Sequence, residues 1–466
     1  MKRILNLLII VFCSTVAIAQ PQPQDVTYQS NTAFSSNTFS SDFPFGVLNI
    51  PELERPASDA SVHALMLNEY GKAFFVSNTA NPPIQFEYHA RIKIFDEAGL
   101  KKGVVEIPLY NRDRASYEKI REVTGKTFYK TADGAVKSIQ LTDAQVKTTR
   151  LDDHHSVVTF TLPELTKGCI IEYKYILESP YIVNFRTWEF QSDIPKLTSV
   201  YNVIIPQFFG YEVTMKGNLK LNATKSQIDK KCYYFNGLAT DCINTVYAIT
   251  DIPALATVPG VISLKDYRSA IYFQLTDMIS VPNFTDRNYG VSVSIGKNWE
   301  KFDEYLMMHD DLGQQLKGKS PFKSAIKNII AGKATDLDKA KAVYQYIQHV
   351  FKWNGYYGIF SPDGIKKSFD RHSGNVADIN LALISALNAA GIKAEAVITS
   401  TRENGAINTE LPSLNDFNYI VAKVYIDGKV YMADATDPAF EFGVLPPRVV
   451  HDKGRNIRFG NVGNWE

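Results

Sequence analysis

The hydrophobic period of the chain changes near residue 293, so no single uniform architecture suits both sides of that point. Before it, apolar side chains recur at every second position, as in Phe86, Tyr88, Ala90, Ile92 and Ile94, and again in Ile171, Tyr173 and Tyr175. That spacing places one face of a strand on a core. Lys130-Thr-Ala-Asp-Gly-Ala135 reads as a turn between two such runs. Many short strands with turn signals predict an all-β, antiparallel sandwich-like region over 46–292. At roughly 250 residues it is large for one sandwich. Two packed β units dividing near Ile194 to Thr198 would suit that length.

After Gly296 the spacing becomes helical. Trp299, Phe302, Tyr305 and Leu306 fit one helix face, and Ala340, Val343, Tyr344, Ile347 and Phe351 form a second apolar stripe. Thr335 with Asp338 resembles a capping box in which Asp replaces the usual Glu or Gln. Residues 376–390, VADINLALISALNAA, are apolar on nearly all sides and end at Gly391, which predicts a buried helix with glycine just past its end. Strands are expected at 393–400, 418–426 and 429–435, the last two joined by a type I′ turn at Asp427-Gly428. A buried helix followed by an antiparallel meander gives an α+β domain over 293–450. Residues 451–466 are then a tail or the start of a further domain.

The N-terminus reads as an address. Lys2 and Arg3 precede an apolar stretch, and Ala17-Ile18-Ala19 forms a small-x-small cleavage site, so residues 1–19 are expected to be a signal peptide with Gln20 as the mature N-terminus. Phe12, before Cys13, does not suit a lipid anchor. No second apolar run of about 18 residues follows, so the exported chain is not expected to span a membrane. The expected location is the periplasm or cell envelope. Residues 20–45, rich in Ser, Thr, Asn and Gln, read as a mobile leader. Fifty basic and 49 acidic residues give a charge of +1, and losing Lys2 and Arg3 takes it to −1. That balance excludes an electrostatic nucleic-acid binder.

Cys169, Cys232 and Cys242 remain after cleavage, without the CxxC spacing of a zinc site. Cys232 and Cys242 either pair or stay as two buried thiols. A two-residue loop at Asn236-Gly237 would set 232 opposite 241 and turn Cys242 away, whereas a three-residue loop would set it opposite 242.

A set of spaced blocks in the C-terminal part resembles the transglutaminase-like domain, the papain-related α+β fold. The blocks are Gly374-x-x-x-Asp378, Ala390-Gly391-Ile392-x-Ala394, Phe417-Asn418-x-Ile420-Val421 and Tyr431-Met-Ala-Asp434-Ala-Thr436-Asp-Pro438. The region before it resembles the domain of unknown function, of the 3857 family type, that often precedes this fold in exported envelope proteins; Asp251-Ile-Pro-Ala254-Leu and Ala270 to Leu275 carry that likeness. The resemblance implies acyl transfer from an amide. A Cys at the start of the buried helix, its pKa lowered by the helix N-terminus, attacks the carbonyl. A His on a neighbouring strand takes its proton, and an Asp orients the His. Here the corresponding positions are Val376, Tyr419 and Asp434. Valine has no lone pair, and a phenol with a reference pKa of about 10 is a poor base near neutrality. In a comparable triad, losing the nucleophile alone costs about a millionfold in rate. The resemblance therefore implies a pseudoenzyme with no catalytic residues.

Other candidates have structural roles in this reading. Asn375 or Ser373 caps the buried helix, and His372 is a polar loop residue. Asp152-Asp153-His154-His155 is a turn, because adjacent strand residues point to opposite faces and form no metal cage. His349 lies beside an apolar stripe. Trp353, Tyr356 and Tyr357, with Asn418, could line a cleft for a peptide or sugar ring, or simply pack a connecting loop. No cofactor or metal is expected. The expected function is noncatalytic binding or assembly in the cell envelope, with a peptide, glycan or envelope protein as partner. The alternative is a cysteine-independent amide hydrolase or acyltransferase.

Overall fold

The computed structural model describes residues 42–48, 50–77, 83–183, 185–235, 237–256, 261, 263–280, 291–294, 296, 298–317, 320–450 and 453–466. The signal segment, the leader up to residue 41 and Asn236 lie outside the described residues. Two compact units divide between Val293 and Ser294, where the hydrophobic period changes.

The first unit is built on an eight-stranded sheet in the order Ala223–Phe235, Leu238–Ile252, Lys196–Pro206, Ala64–Phe75, Ile84–Ile94, Ile170–Ser179, Lys119–Lys130, Val136–Gln140. Neighbours run antiparallel except Ala64–Phe75 and Lys196–Pro206, which are parallel. A sheet of Val104–Tyr110, His155–Thr161 and Lys147–Arg150 and another built on Phe209–Lys216 and Ala270–Ser280 complete the unit. One core joins all three: Phe86 and Leu177 from the large sheet, Ile107 and Phe160 from the second, Ile271 and Phe273 from the third. The alternation read from the sequence thus gives a sandwich-like β region. The expected division near Ile194 to Thr198 is not there, because Lys196–Pro206 is an interior strand of the main sheet.

The opposite face of that sheet carries His89, Arg91 and Lys93, all buried. Residues 42–48 and the short helix Ile50–Glu54 supply the partners that make this burial possible: Asp42, Pro44, Gly46 and Leu53 all bond to the row or its neighbours. Residues 42–45 are therefore packed structure and not leader. Their polar composition concealed this because the contacts are themselves polar.

Cys232 and Cys242 form a disulfide, and Cys169 is a buried free thiol. Phe235 pairs with Leu238 and Tyr233 with Thr240, the register that turns Cys242 away from residue 232. The register then shifts, and Asp229 pairs with Cys242. The extra residues bulge at Lys231, whose φ is +48°, and bring the two sulfurs onto one side.

The second unit has a five-stranded sheet in the order Lys429–Ala433, Tyr419–Ile426, Ala394–Thr399, Arg455–Arg458, Asn461–Trp465. The helix Val376–Ala389 packs on it, with every residue from Val376 to Leu387 buried. Asp427 and Gly428 both have positive φ, as a type I′ turn requires. Thr335 accepts from the Asp338 N–H to cap Asp336–Val350, whose buried Ala340, Val343, Tyr344 and Ile347 are the expected stripe. Residues 453–466, expected as a tail or the start of a further domain, supply two strands of this sheet. Arg455 bonds both oxygens of Asp303 at 2.7 and 2.6 Å, and the Gly463 N–H donates to Asp303 Oδ2. The guanidinium lies 4.4 Å from the Trp299 ring and 5.1 Å from that of Trp465. Among the described residues no helix is long and apolar enough to cross a membrane.

Candidate functional site

The start of the buried helix is fixed by backbone crowding and a reciprocal cap. A Cβ on Gly374 would lie 2.4 Å from the Asp378 Cβ, so only glycine fits there. Asn375 Oδ1 accepts from the Asp378 N–H at 2.9 Å, and Asp378 Oδ2 accepts from the Asn375 N–H at 2.8 Å. Ser361 Oγ donates to the other Asp378 oxygen. Burial raises the Asp378 pKa, and these donors act against it. Val376 is the first helical residue, with its side chain fully buried and its N–H directed to the Tyr356 carbonyl at 3.3 Å.

Tyr419 opens its strand, and Asp434 follows the end of the next. The Tyr419 hydroxyl donates to Asp434 Oδ2 at 2.6 Å and lies 3.0 Å from Thr436 Oγ1. Asp434 Oδ1 accepts from Asn380 Nδ2 at 2.9 Å and from the Thr436 N–H at 3.0 Å. Arg448 Nε donates to the Tyr419 hydroxyl at 3.1 Å, while its Nη2 bonds Thr436 Oγ1 at 2.6 Å and stands 3.7 Å from Asp434 Oδ2. Both Tyr419 and Asp434 are wholly buried. Burial, reinforced by the Asp434 charge, pushes the Tyr419 phenol far above its ordinary range. At neutral pH it is a fixed donor to the carboxylate.

The three positions singled out in the sequence are linked through two intermediaries. Asn380, one turn beyond Val376, holds Asp434. Tyr357, next to the Tyr356 that receives the Val376 N–H, has its ring 5.8 Å from that of Tyr419. The aromatic segment is positioned by Lys352–Trp353 pairing with Ser373–Gly374 directly before the helix. Trp353 Nε1 donates to the Tyr356 carbonyl at 2.9 Å, and its ring lies 5.4 Å from Tyr357 and 4.9 Å from the Arg448 guanidinium. Tyr357 is exposed, whereas Trp353 and Tyr356 are half-buried. Asn418 Oδ1 accepts from the Thr401 N–H and its Nδ2 donates to Thr401 Oγ1, pinning the 400–418 loop.

Asn380, Thr436 and Arg448 were not read from the sequence as site residues. Asn380 had a signal, because an amide inside an otherwise apolar buried helix needs partners. It has them in the Ile420 carbonyl, Asp434 Oδ1 and the Ala435 N–H. Arg448 follows two prolines in a loop and had no local signal. Elsewhere, Asp152 Oδ1 accepts from the backbone N–H groups of His154 and His155, so this segment is a turn. His349 is exposed, and His372 ends a short helix with φ of +55°. No group of three or more His, Cys, Asp or Glu among the described residues is arranged to hold a metal ion.

Residues 323–435 match the transglutaminase-like superfamily, and residues 83–237 match a family described as a domain of unknown function with a solved structure, DUF3857. Both regions occur in the order expected. The Asp251 and Ala270 segments lie beyond the second of these matches. A crystal structure of a candidate protease from Parabacteroides distasonis is similar in fold, with a TM-score of 0.60 and 12% identity over 87% of this chain and 71% of that one. A candidate cysteine protease from Cytophaga hutchinsonii aligns over 84% of this chain and 88% of its own at 10% identity, but with a TM-score of 0.22 it bears on nothing here. No curated protein matches.

Proposed function

We propose that this chain, with its transglutaminase-like C-terminal region, is an exported protein that performs no acyl transfer and works by binding or assembly in the cell envelope. One observation carries the reading: the Tyr419 hydroxyl is committed to Asp434 while a fully buried Val376 opens the helix. Acyl transfer by a covalent route needs a nucleophile and a base within reach of it. Valine offers neither electron pair nor proton, and a phenol bonded to a carboxylate keeps its proton. Arg448 supplies a positive charge beside Asp434 but no base, because a guanidinium stays protonated. Trp353 and Tyr357 remain as the ring surfaces on which a peptide or glycan would stack. The reading as exported rests on the basic, apolar and small-residue pattern of residues 1–19.

The test is release of ammonia or amine from glutamine-containing and cell-wall peptides by the purified mature chain. No turnover is expected. Val376→Cys alone should also stay nearly inactive, because a thiol without its base is mostly protonated at pH 7. Robust turnover by the unmodified chain, abolished by Asp434→Ala, would establish the alternative of a cysteine-independent hydrolase or acyltransferase. Export is checked separately by the N-terminal mass of the secreted protein, expected to begin at Gln20.

A further inference from the structure

On the outer face of the eight-stranded sheet, His89 is held between two carboxylates. Its Nδ1 lies 2.7 Å from Asp42 Oδ1 and its Nε2 lies 2.9 Å from Glu172 Oε1. The side chain is 1% exposed, and that of Glu172 is 0% exposed. An ionised carboxylate only accepts hydrogen bonds, whereas a neutral imidazole has one N–H and one lone pair. Satisfying both contacts therefore takes one proton more than the neutral ring carries. Glu172 belongs to the sheet and Asp42 to the segment lying over it, so that proton ties the segment down.

The other anchors act on the same segment. Phe43 stacks on the imidazole at 3.6 Å between centroids. The Gly46 N–H donates to Glu172 Oε2 at 3.1 Å, and Arg91 Nη2 donates to the Pro44 carbonyl at 3.0 Å. Arg91 also reaches Glu52 at 3.3 Å, and Lys93 Nζ donates to the Leu53 carbonyl at 2.6 Å.

We propose that residues 42–48 and the helix Ile50–Glu54 form a pH-sensitive strap, docked on the sheet while His89 carries both ring protons and loosened when it loses one. Deprotonation sets a nitrogen lone pair against a carboxylate, and Asp42 is the partner released. Glu172 is retained by Arg91 Nη2 at 3.1 Å as well as by Gly46, whereas the other oxygen of Asp42 has Lys174 at 3.4 Å. The groups facing His89 are Asp42 from the strap, Glu172 and Lys174 from the adjacent strand, and Arg91 and Glu87 from its own strand. Tyr70 stands opposite it on the third strand. Tyr70 stays neutral, its phenol pushed up to about 12 chiefly by burial. Glu52 acts through Arg91. Because the docked state holds the additional proton, raising the pH opposes docking.

Hydrogen–deuterium exchange of the full mature chain, corrected for intrinsic exchange, tests this between about pH 5.5 and about pH 8.5, where histidine titrates but carboxylates and tyrosines do not. Protection of peptides covering 42–54 should fall by up to about tenfold per pH unit, the limit for one released proton, while the central strands keep theirs. His89→Gln, with one amide donor and one acceptor, should flatten the profile. Asp42→Asn should do the same, and serves if the buried substitution prevents folding. Strap protection that does not vary with pH in the wild type overturns the proposal. A profile unchanged in both variants also overturns it.

Discussion

Asn380 Nδ2 lies 2.9 Å from Asp434 Oδ1, so the middle of the buried helix grips the carboxylate at the end of the neighbouring strand. The same amide group donates to the Ile420 carbonyl, and its oxygen accepts from the Ala435 N–H. One side chain therefore joins the helix to two strands, and does so where no water reaches. The position of Asp434 is set by this amide together with the Tyr419 hydroxyl and the Thr436 N–H.

Replacing Asn380 by alanine should destabilise the second unit by about 3 kcal/mol or more, since buried groups left unsatisfied cost about 1–3 kcal/mol each. Chemical denaturation followed by circular dichroism measures it. A loss below about 1 kcal/mol would mean that the amide is not the link described.

Tyr419→Phe keeps the ring and removes only the hydroxyl between Asp434 and Arg448. The expected cost is about 1–3 kcal/mol, because a buried carboxylate oxygen loses its short donor. Tyr419→His should be no better tolerated at pH 8 than at pH 6, where the ring is more often the cation that Asp434 favours. Thermal unfolding at the two pH values distinguishes these outcomes.

The chain should lose stability in alkali. Burial raises the phenol pKa of Tyr88, Tyr173, Tyr201, Tyr211 and Tyr419 above the ordinary value. In the unfolded chain these groups ionise near pH 10. A folded pKa above the unfolded one means full stability below about pH 10 and progressive loss as the pH rises beyond it. In a titration at 295 nm, a fraction of the 25 tyrosines should ionise only as the fold is lost. Smooth ionisation of all of them without unfolding would contradict the burial described.

Arg455→Met should cost about 3–5 kcal/mol by leaving Asp303 charged and buried. Adding Asp303→Leu should recover most of that loss, because a well-packed apolar pair can replace a buried ion pair. Removing residues 455–466 should be worse than either, since it also uncovers Trp299. Comparison of the unfolding midpoints of the three variants decides it.

The sequence was most informative where one periodicity dominates and least where polar contacts carry the structure. The helix Val376–Ala389 was legible from its apolar run, and the hairpin after Tyr425 from Asp427-Gly428. Arg455–Arg458 was missed because its strand buries an arginine, which breaks the alternation that marks a strand. Residues 42–45 were missed for the same reason, since their partners are His89 and Arg91. The disulfide stayed open because its register depends on a bulge at Lys231 that no local pattern encodes. In the site, Val376, Tyr419 and Asp434 were found by block spacing, while Arg448 comes from a loop whose approach depends on the whole fold.

The parallel pairing of Ala64–Phe75 with Lys196–Pro206 also fixes when the first unit can form. Met66 pairs with Lys196, about 130 residues further along the chain, and Glu69 receives both Lys196 Nζ and Ser199 Oγ in the interior. Contacts of such separation are slow to close, so the first strand, paired locally with Ile84–Ile94 on one edge, gains its other neighbour only once the residues around 200 are present. The family match over 83–237 begins after that first strand. A piece trimmed to those limits would lack Glu69 and leave Lys196 and Ser199 without their partner in the middle of the sheet, so the stretch matched as one family is shorter than the sheet that packs as one unit.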